Sequence, residues 1–389
     1  MDLGDILFQA VREATPLPGR ISATVALRTH DGGSWTLRLA RGRPALAIGD
    51  DGGADTIITG DDATLRAVAQ GTASGVGAFL DGNILVRGNL SLSLRLDGLW
   101  GDRHSTPDHV RAGDVTAHGV RTFYIEAGDG PPVVLLHGLG ATNASMLPTV
   151  RALARDHRVV APDLPGFGDS AKPLRSLHAA FYARWLADFC AELGLRRPHV
   201  IGNSMGGRIA VEAGLRAPDT VDRLVLLAPS PAFLRGREYV RLVRLLRPEL
   251  ALVPLPLPHR TVARGIRRMF SRPSRLADAW YDAAADEFLR VFSTPRGRIG
   301  FFSAMRQIYL EEPHSKPGGF WQRLPELSRP ALFIWGRRDR LVPARFAVHV
   351  ERALPEATSV VLDDCGHVPH YELPDTTHDL VRTFLAEAA

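Results

Sequence analysis

Residues 200–210 read VIGNSMGGRIA, an apolar approach, a Gly-Asn-Ser-Met-Gly-Gly turn and a chain able to start a helix. From Gly202 to Gly206 the residues spell G-x-S-x-G. A serine between a strand and a helix is lifted clear of a sheet only by a very tight turn. Such a turn brings the flanking backbones so close that little beyond glycine fits. Ser204 is therefore either a nucleophile presented at the end of a strand or one serine in a glycine-rich loop. The pattern arises by chance in chains rich in Gly and Ser, so its surroundings decide.

Apolar runs of strand length flank the turn on both sides: GVRTFYIEAG (119–128), PPVVLLHGLG (131–140), HRVVAPDLPGFGDS (157–170), DRLVLLAPS (222–230), RPALFIWGRRD (329–339) and TSVVLDDCGH (358–367). Helical periods separate them at 144–156, 181–194, 207–217 and 375–388. This alternation predicts a mostly parallel sheet with helices on both faces, which binds its ligand beyond the carboxyl ends of the strands. Acyl transfer by a serine needs a base, an acid that orients the base, and donors for the oxyanion. Ser204 closes HVIGN, Asp339 follows ALFIWGRR, and His367 follows SVVLDDCG. Asp363 and Asp364 compete with Asp339, but the loop after a strand, with Pro343 close behind, favours Asp339. His370 competes with His367, which stands directly after the strand end and Gly366. His137, before Gly138 in a turn, reads as a brace for its loop.

HGLG (137–140), DLPGFGDS (163–170), GNSMGG (202–207), WGRRDRLVP (335–343) and CGHVPHYELP (365–374) together resemble the α/β-hydrolase superfamily, in its order, over about residues 115–389, which places that domain at 114–389. The resemblance implies that Ser204 is the nucleophile, His367 the base and Asp339 the acid. It also implies that the backbone N–H groups of Leu139 and Met205 form the oxyanion hole. Haloalkane dehalogenases and epoxide hydrolases of this superfamily carry Asp where Ser204 stands, which leaves ester, thioester and carbon–carbon bond hydrolysis. GNSMGG is also similar to the serine motif of meta-cleavage-product hydrolases, whose oxyanion loop is usually richer in Gly and Pro than HGLGAT.

An insertion at about 231–328 is the expected helical lid. Its first half (233–275) holds eleven Arg against Glu238 and Glu249, with Tyr239, Val240, Leu242, Val243, Leu245 and Leu246 between the arginines. Such a basic amphipathic stretch suits an anionic membrane surface or an acidic substrate, or is an ordinary lid helix with solvated charges. The second half is rich in Phe, Met and Ile, and Phe301, Phe302 and Met305 are the candidates to roof a pocket for an acyl or aromatic group.

Upstream, GDRHSTPDHVRAG (101–113) reads as a linker, and the preceding 1–100 as a small domain. Short two-period runs at 21–25, 34–40, 44–49 and 54–60 predict an antiparallel sheet, and DDATLRAVAQG (61–71) a helix capped by Asp61 or Asp62 and stopped at Gly71. GSWTLRL, ADTIITGDDATLRAVAQG and FLDGNILVRGNLSLSLRL resemble the sterol-carrier-protein-2-like lipid-binding family. That resemblance implies a small α+β fold with an apolar tunnel for acyl chains or sterols; a structural appendage is the alternative.

The chain of 389 residues has a net charge of +5, carried almost wholly by Arg, since Lys172 and Lys316 are its only lysines. No zinc-ligand spacing, phosphate-binding loop or nucleic-acid motif appears, and neither metal nor cofactor is expected. Cys190 and Cys365, with no signal peptide and no membrane-spanning run, indicate a cytoplasmic protein, at most peripheral to a membrane. The expected activity is hydrolysis of a hydrophobic ester or thioester through an acyl-enzyme, on lipid-like substrates. A carbon–carbon hydrolase or a non-catalytic lipid carrier are the alternatives.

Overall fold

The computed structural model describes residues 2–14, 17, 21–50, 52–97, 106–230, 251–254, 256–309 and 319–387. It opens with a helix over Leu3–Glu13, capped by the Asp2 carboxylate, which accepts the Asp5 N–H at 2.8 Å. Leu3, Ile6 and Leu7 form its buried stripe at i, i+3, i+4 spacing, a pattern to which the sequence reading assigned no element. Five strands follow: β1 (Ala23–Thr29), β2 (Ser34–Ala40), β3 (Arg43–Ile48), β4 (Thr56–Gly60) and β5 (Ile84–Gly88), in the order β3-β2-β1-β4-β5. The antiparallel expectation is corrected at one pair, because β4 runs parallel to β1. Two-residue alternation reports which face a side chain takes but not which way the neighbouring strand runs. Asp61 caps the helix Asp62–Ala69 by accepting the Thr64 N–H, and the helices Gly75–Leu80 and Leu90–Asp97 complete this part of the chain.

Of the stretch read as a linker, 101–113, residues 101–105 lie outside the described residues, and a strand already begins at Arg111. The large sheet comprises β6 (Arg111–Ala117), β7 (Val120–Ala127), β8 (Pro132–Leu136), β9 (Arg158–Pro162), β10 (His199–Asn203), β11 (Leu224–Leu227), β12 (Ala331–Gly336) and β13 (Thr358–Leu362). Its order is β13-β12-β11-β10-β8-β9-β7-β6, parallel except at the β9–β7–β6 edge. Gly113 in β6 pairs with Tyr124, and only glycine fits there because a Cβ would stand 2.5 Å from the Tyr124 ring.

Alternate strand residues divide the interior. Val134, Leu136, Val200, Leu226 and Phe333 pack under the helices Ala179–Glu192 and Met205–Arg216. Val133, Leu135, Ile201, Leu227 and Ile334 pack under Leu147–Leu153 and Pro374–Ala386. Both faces are covered, which is why the central strands read as continuous apolar runs. The second core does not stop at the large sheet: Leu3, Leu27, Val76 and Leu94 of the N-terminal part belong to the same apolar cluster.

Polar ties fix the two parts further. Arg151 grips Asp81 at 2.6 and 3.0 Å, and Asp286 accepts from Arg87 (2.7 Å) and the Gly88 N–H (3.0 Å). Arg95, 5% exposed and stacked 3.7 Å over the Phe123 ring, reaches Asp169 at 3.1 Å, which Arg290 also holds at 2.7 Å. Burial alone would raise the Asp169 carboxyl, but Arg290 and Arg95 outweigh it and pull the group down to about 2.

The insertion after β11 supplies helices His259–Arg267, Asp278–Phe292 and Pro295–Tyr309 over the carboxyl ends of the strands. The stretch with Tyr239, Val240, Leu242, Val243, Leu245 and Leu246 lies outside the described residues.

Candidate active site

Ser204 sits between β10 and the helix Met205–Arg216 with φ +53° and ψ −114°, a left-handed conformation costly for any residue with a Cβ. Its own backbone holds it there: its N–H donates to the Leu227 carbonyl at 2.9 Å and its carbonyl accepts from the Ser230 N–H at 2.8 Å. The glycines around it are required by contact. A Cβ on Gly202 would stand 2.3 Å from the Gly206 carbonyl carbon, and one on Gly206 2.1 Å from the Leu136 carbonyl oxygen.

Asp339, three residues beyond β12, points one carboxylate oxygen back into its own loop, where it accepts the N–H groups of Leu341 (2.7 Å) and Val342 (2.9 Å). The other oxygen accepts the Nδ1–H of His367 at 2.7 Å, with both side chains buried. This contact fixes the ring and leaves Nε2 as its second nitrogen. The loop carrying His367 is itself pinned. Its N–H donates to the Met269 carbonyl of the lid at 2.8 Å, and its carbonyl accepts from Asn203 at 3.2 Å. The Gly366 N–H donates to Glu372 at 2.8 Å, whose second oxygen accepts the Ser271 N–H of the lid at 2.7 Å.

The competing groups are engaged elsewhere. Asp363 is 80% exposed in its side chain and pairs with Arg337, while Asp364 pairs with Arg272, Arg275 and Arg338. His370 is buried, donates its Nε2–H to the Ser145 carbonyl at 2.9 Å, and is depressed to about 4 by desolvation. His137 is a brace: Nδ1–H donates to the Gly138 carbonyl at 2.8 Å while Nε2 accepts the Leu164 N–H at 2.9 Å. Burial lowers it to about 4, so it stays neutral and keeps both bonds at physiological pH.

Ser204, His367 and Leu139 line one cavity of about 690 Å³. Its floor is the turn Gly138–Thr142 and its roof includes Trp280, Phe288, Phe301 and Met305 from the lid. Met205 is buried under Ser204, and its N–H opens a helix, where the first N–H groups have no intrahelical acceptor. Phe302 stands away from this wall, edge-on to Phe301 and tilted against Phe292 in a cluster with Ala251. Thr142, Trp280 and Tyr371 also line the cavity without a sequence signal of their own, and so do Phe79 and Leu90 from the N-terminal part. No group of three or more metal-ligating side chains occurs among the described residues.

Asp163, which opens the DLPGFGDS loop, anchors the floor. It accepts the N–H of Asn143 at 2.8 Å and of Asp169 at 2.6 Å, fully buried. Desolvation, helped by the Asp169 charge, pushes its carboxyl up to about 7. A folded value above the unfolded one favours folding below the ordinary carboxyl range, and that contribution is lost as the pH rises through about 7. Denaturant midpoints at pH 5 and pH 8 are therefore expected to differ less in Asp163→Asn than in the natural chain, even though the variant forfeits one acceptor. An equal difference in both would remove Asp163 as the cause.

The lid arginines divide. Arg267 pairs with Asp278, and Arg272 and Arg275 with Asp364, whereas Arg260, Arg264 and Arg268 are exposed. Leu252, Val253 and Leu257 nearby are exposed apolar side chains, and Leu257 also lines the cavity. Among the described residues no helix is long and apolar enough to cross a membrane.

Comparison with known families matches residues 131–374 to the alpha/beta hydrolase fold and residues 7–100 to the SCP-2 sterol transfer family. The chain belongs to the alpha/beta hydrolase fold family. Its N-terminal part is an SCP2-like domain. Among curated relatives, a pimeloyl-[acyl-carrier protein] methyl ester esterase of Aeromonas salmonicida is 29% identical over 66% of this chain and 96% of its own. A solved membrane phospholipase A, described as a bacterial virulence factor, is 27% identical with a TM-score of 0.60, covering 83% of this chain and 96% of its own. A solved meta-cleavage product hydrolase is 25% identical with a TM-score of 0.56, covering 71% and 98%.

Proposed function

We propose that this chain hydrolyses carboxylic esters or thioesters of apolar acids through an acyl-enzyme on Ser204. The reading rests on one observation: a serine held at φ +53° and a histidine oriented by a buried aspartate face the same largely apolar cavity. In the first step Ser204 Oγ attacks the carbonyl carbon and passes its proton to His367 Nε2. The N–H groups of Leu139 and Met205 receive the oxyanion, on the order of 3 kcal/mol for each donor. As the tetrahedral intermediate collapses, the bond to the leaving oxygen or sulfur breaks and His367 returns the proton to that atom. His367 then deprotonates water, which attacks the acyl carbon; the bond to Ser204 Oγ breaks, His367 returns the proton to Oγ, and the acid leaves. Asp339 holds the Nδ1 proton throughout and stabilises the imidazolium.

p-Nitrophenyl esters of increasing acyl length test the reading, with a vinylogous diketone run in parallel. Hydrolysis that strengthens with acyl length supports it. Cleavage of the diketone without ester hydrolysis would make the chain a carbon–carbon hydrolase, and neither activity with lipid still bound would make it a carrier.

The exposed Arg260, Arg264 and Arg268 beside Leu252, Val253 and Leu257 support docking of the cavity mouth on an anionic lipid surface. Co-sedimentation with anionic vesicles at low salt, lost at high salt, is the expected result. No binding at low salt removes this partner.

A further inference from the structure

The N-terminal part contains a cavity of its own, narrow at about 70 Å³, and its walls are apolar almost throughout. Two of those walls, Phe79 and Leu90, also line the cavity that holds Ser204 and His367. A single layer of side chains therefore separates the two spaces. The boundary continues on the hydrolase side, where Ser145 faces the Ser204 cavity and Leu147, two residues on, faces the N-terminal one. Phe79 is only half-buried and is the last but one residue of the short helix Gly75–Leu80.

This juxtaposition is held in place. The apolar core is continuous across the boundary, and Asp169 and Asp286 of the hydrolase part anchor Arg95 and Arg87 on either side of Leu90. Asp97, the acidic group at the cavity wall, is already committed to the Val110 N–H and to His109. The Ser93 hydroxyl, the other polar side chain there, donates to the Leu90 carbonyl at 2.7 Å, and the rest of the wall is almost wholly hydrocarbon. A slot this narrow fits an unbranched chain end; a dry cavity of ~150 Å³ is the size that accepts even a benzene ring.

We propose that the N-terminal cavity is the far end of the hydrolase's substrate site. An unbranched acyl chain whose carbonyl lies at Ser204 passes between Phe79 and Leu90 and ends against Val76 and Leu94. The N-terminal part thus measures the chain that the hydrolase part cleaves. The proposal rests on the serine-hydrolase reading above, and the test separates the two.

A long-chain alkyl fluorophosphonate carrying a terminal diazirine is added to the full natural chain. Ser204 Oγ forms the P–O bond as fluoride leaves, irradiation turns the chain end into a carbene that inserts into the nearest bond, and peptide mass spectrometry locates it. Attachment within residues 62–97 is the expected result. A Ser204 adduct whose chain end is found only on lid residues 259–309 overturns the proposal and leaves the hydrolase reading standing. No adduct on Ser204 overturns the hydrolase reading and the proposal with it. As a second measurement, Val76→Trp fills the slot. The ratio of kcat/KM for p-nitrophenyl palmitate over butyrate is expected to fall about tenfold, the cost of roughly two buried methylenes. An unchanged ratio in a folded variant counts against the proposal.

Discussion

Replacing Ser204 by alanine is expected to lower kcat for p-nitrophenyl esters on the order of a millionfold, the scale on which losing a triad nucleophile acts. The size follows from what is lost. Without Oγ no acyl-enzyme forms, His367 has no proton to take, and only binding and the oxyanion donors remain. The fold should not suffer, because the turn is held by the Ser204 backbone, through Leu227 and Ser230, and not by its hydroxyl. Ser204→Gly separates chemistry from strain: it is expected to be equally inactive yet to melt above Ser204→Ala, since φ +53° costs glycine nothing. Activity within tenfold of the natural chain in a folded Ser204→Ala protein would place the nucleophile elsewhere.

Much of the large sheet was legible because its strands are buried on both faces. Runs such as VVLL (133–136) and ALFIW (331–335) declare themselves by continuous apolar character, and short motifs follow each one at the end where ligands bind. That is why Ser204 and His367, far apart in the chain, read as one site, whereas Leu139 entered only through the family resemblance; all three line one cavity. The N-terminal sheet was less legible. Its β1–β4 pair is parallel because the chain crosses back between β3 and β4, and alternation within a strand carries no trace of that crossing. Phe79 and Leu90 were illegible for a different reason. Each looks like an ordinary core residue of its own helix, and its role at the boundary comes from a second surface, the helical turn Asn143–Met146 with Leu147 after it, brought to it by tertiary packing. Phe302 shows the converse. Adjacent aromatic residues on a helix point about 100° apart, so Phe301 faces the cavity while Phe302 turns into the lid.

Asp339→Asn is expected to cost on the order of ten-thousandfold in kcat, with KM nearly unchanged. The geometry sets which way the new amide turns. One oxygen of Asp339 already accepts the Leu341 and Val342 N–H groups, so an amide there keeps its oxygen on those donors and turns its NH2 toward His367. That NH2 donates to Nδ1, which must then be the unprotonated nitrogen, and the ring proton moves to Nε2. A protonated Nε2 facing Ser204 cannot receive the Oγ proton, so the histidine is held in place in the wrong tautomer. Asp339→Ala is expected to be about as slow and less stable, because two loop N–H groups lose their acceptor at roughly 1–3 kcal/mol apiece if water does not replace it. Measuring fluorophosphonate labelling rates beside denaturant midpoints distinguishes the two variants: a slow, stable Asn variant and a slow, weakened Ala variant are the expected pair. Labelling of the Asn variant at the natural rate would mean that His367 takes its orientation from some other group, and the exposed Asp363 beside Arg337 would then be the carboxylate to replace next.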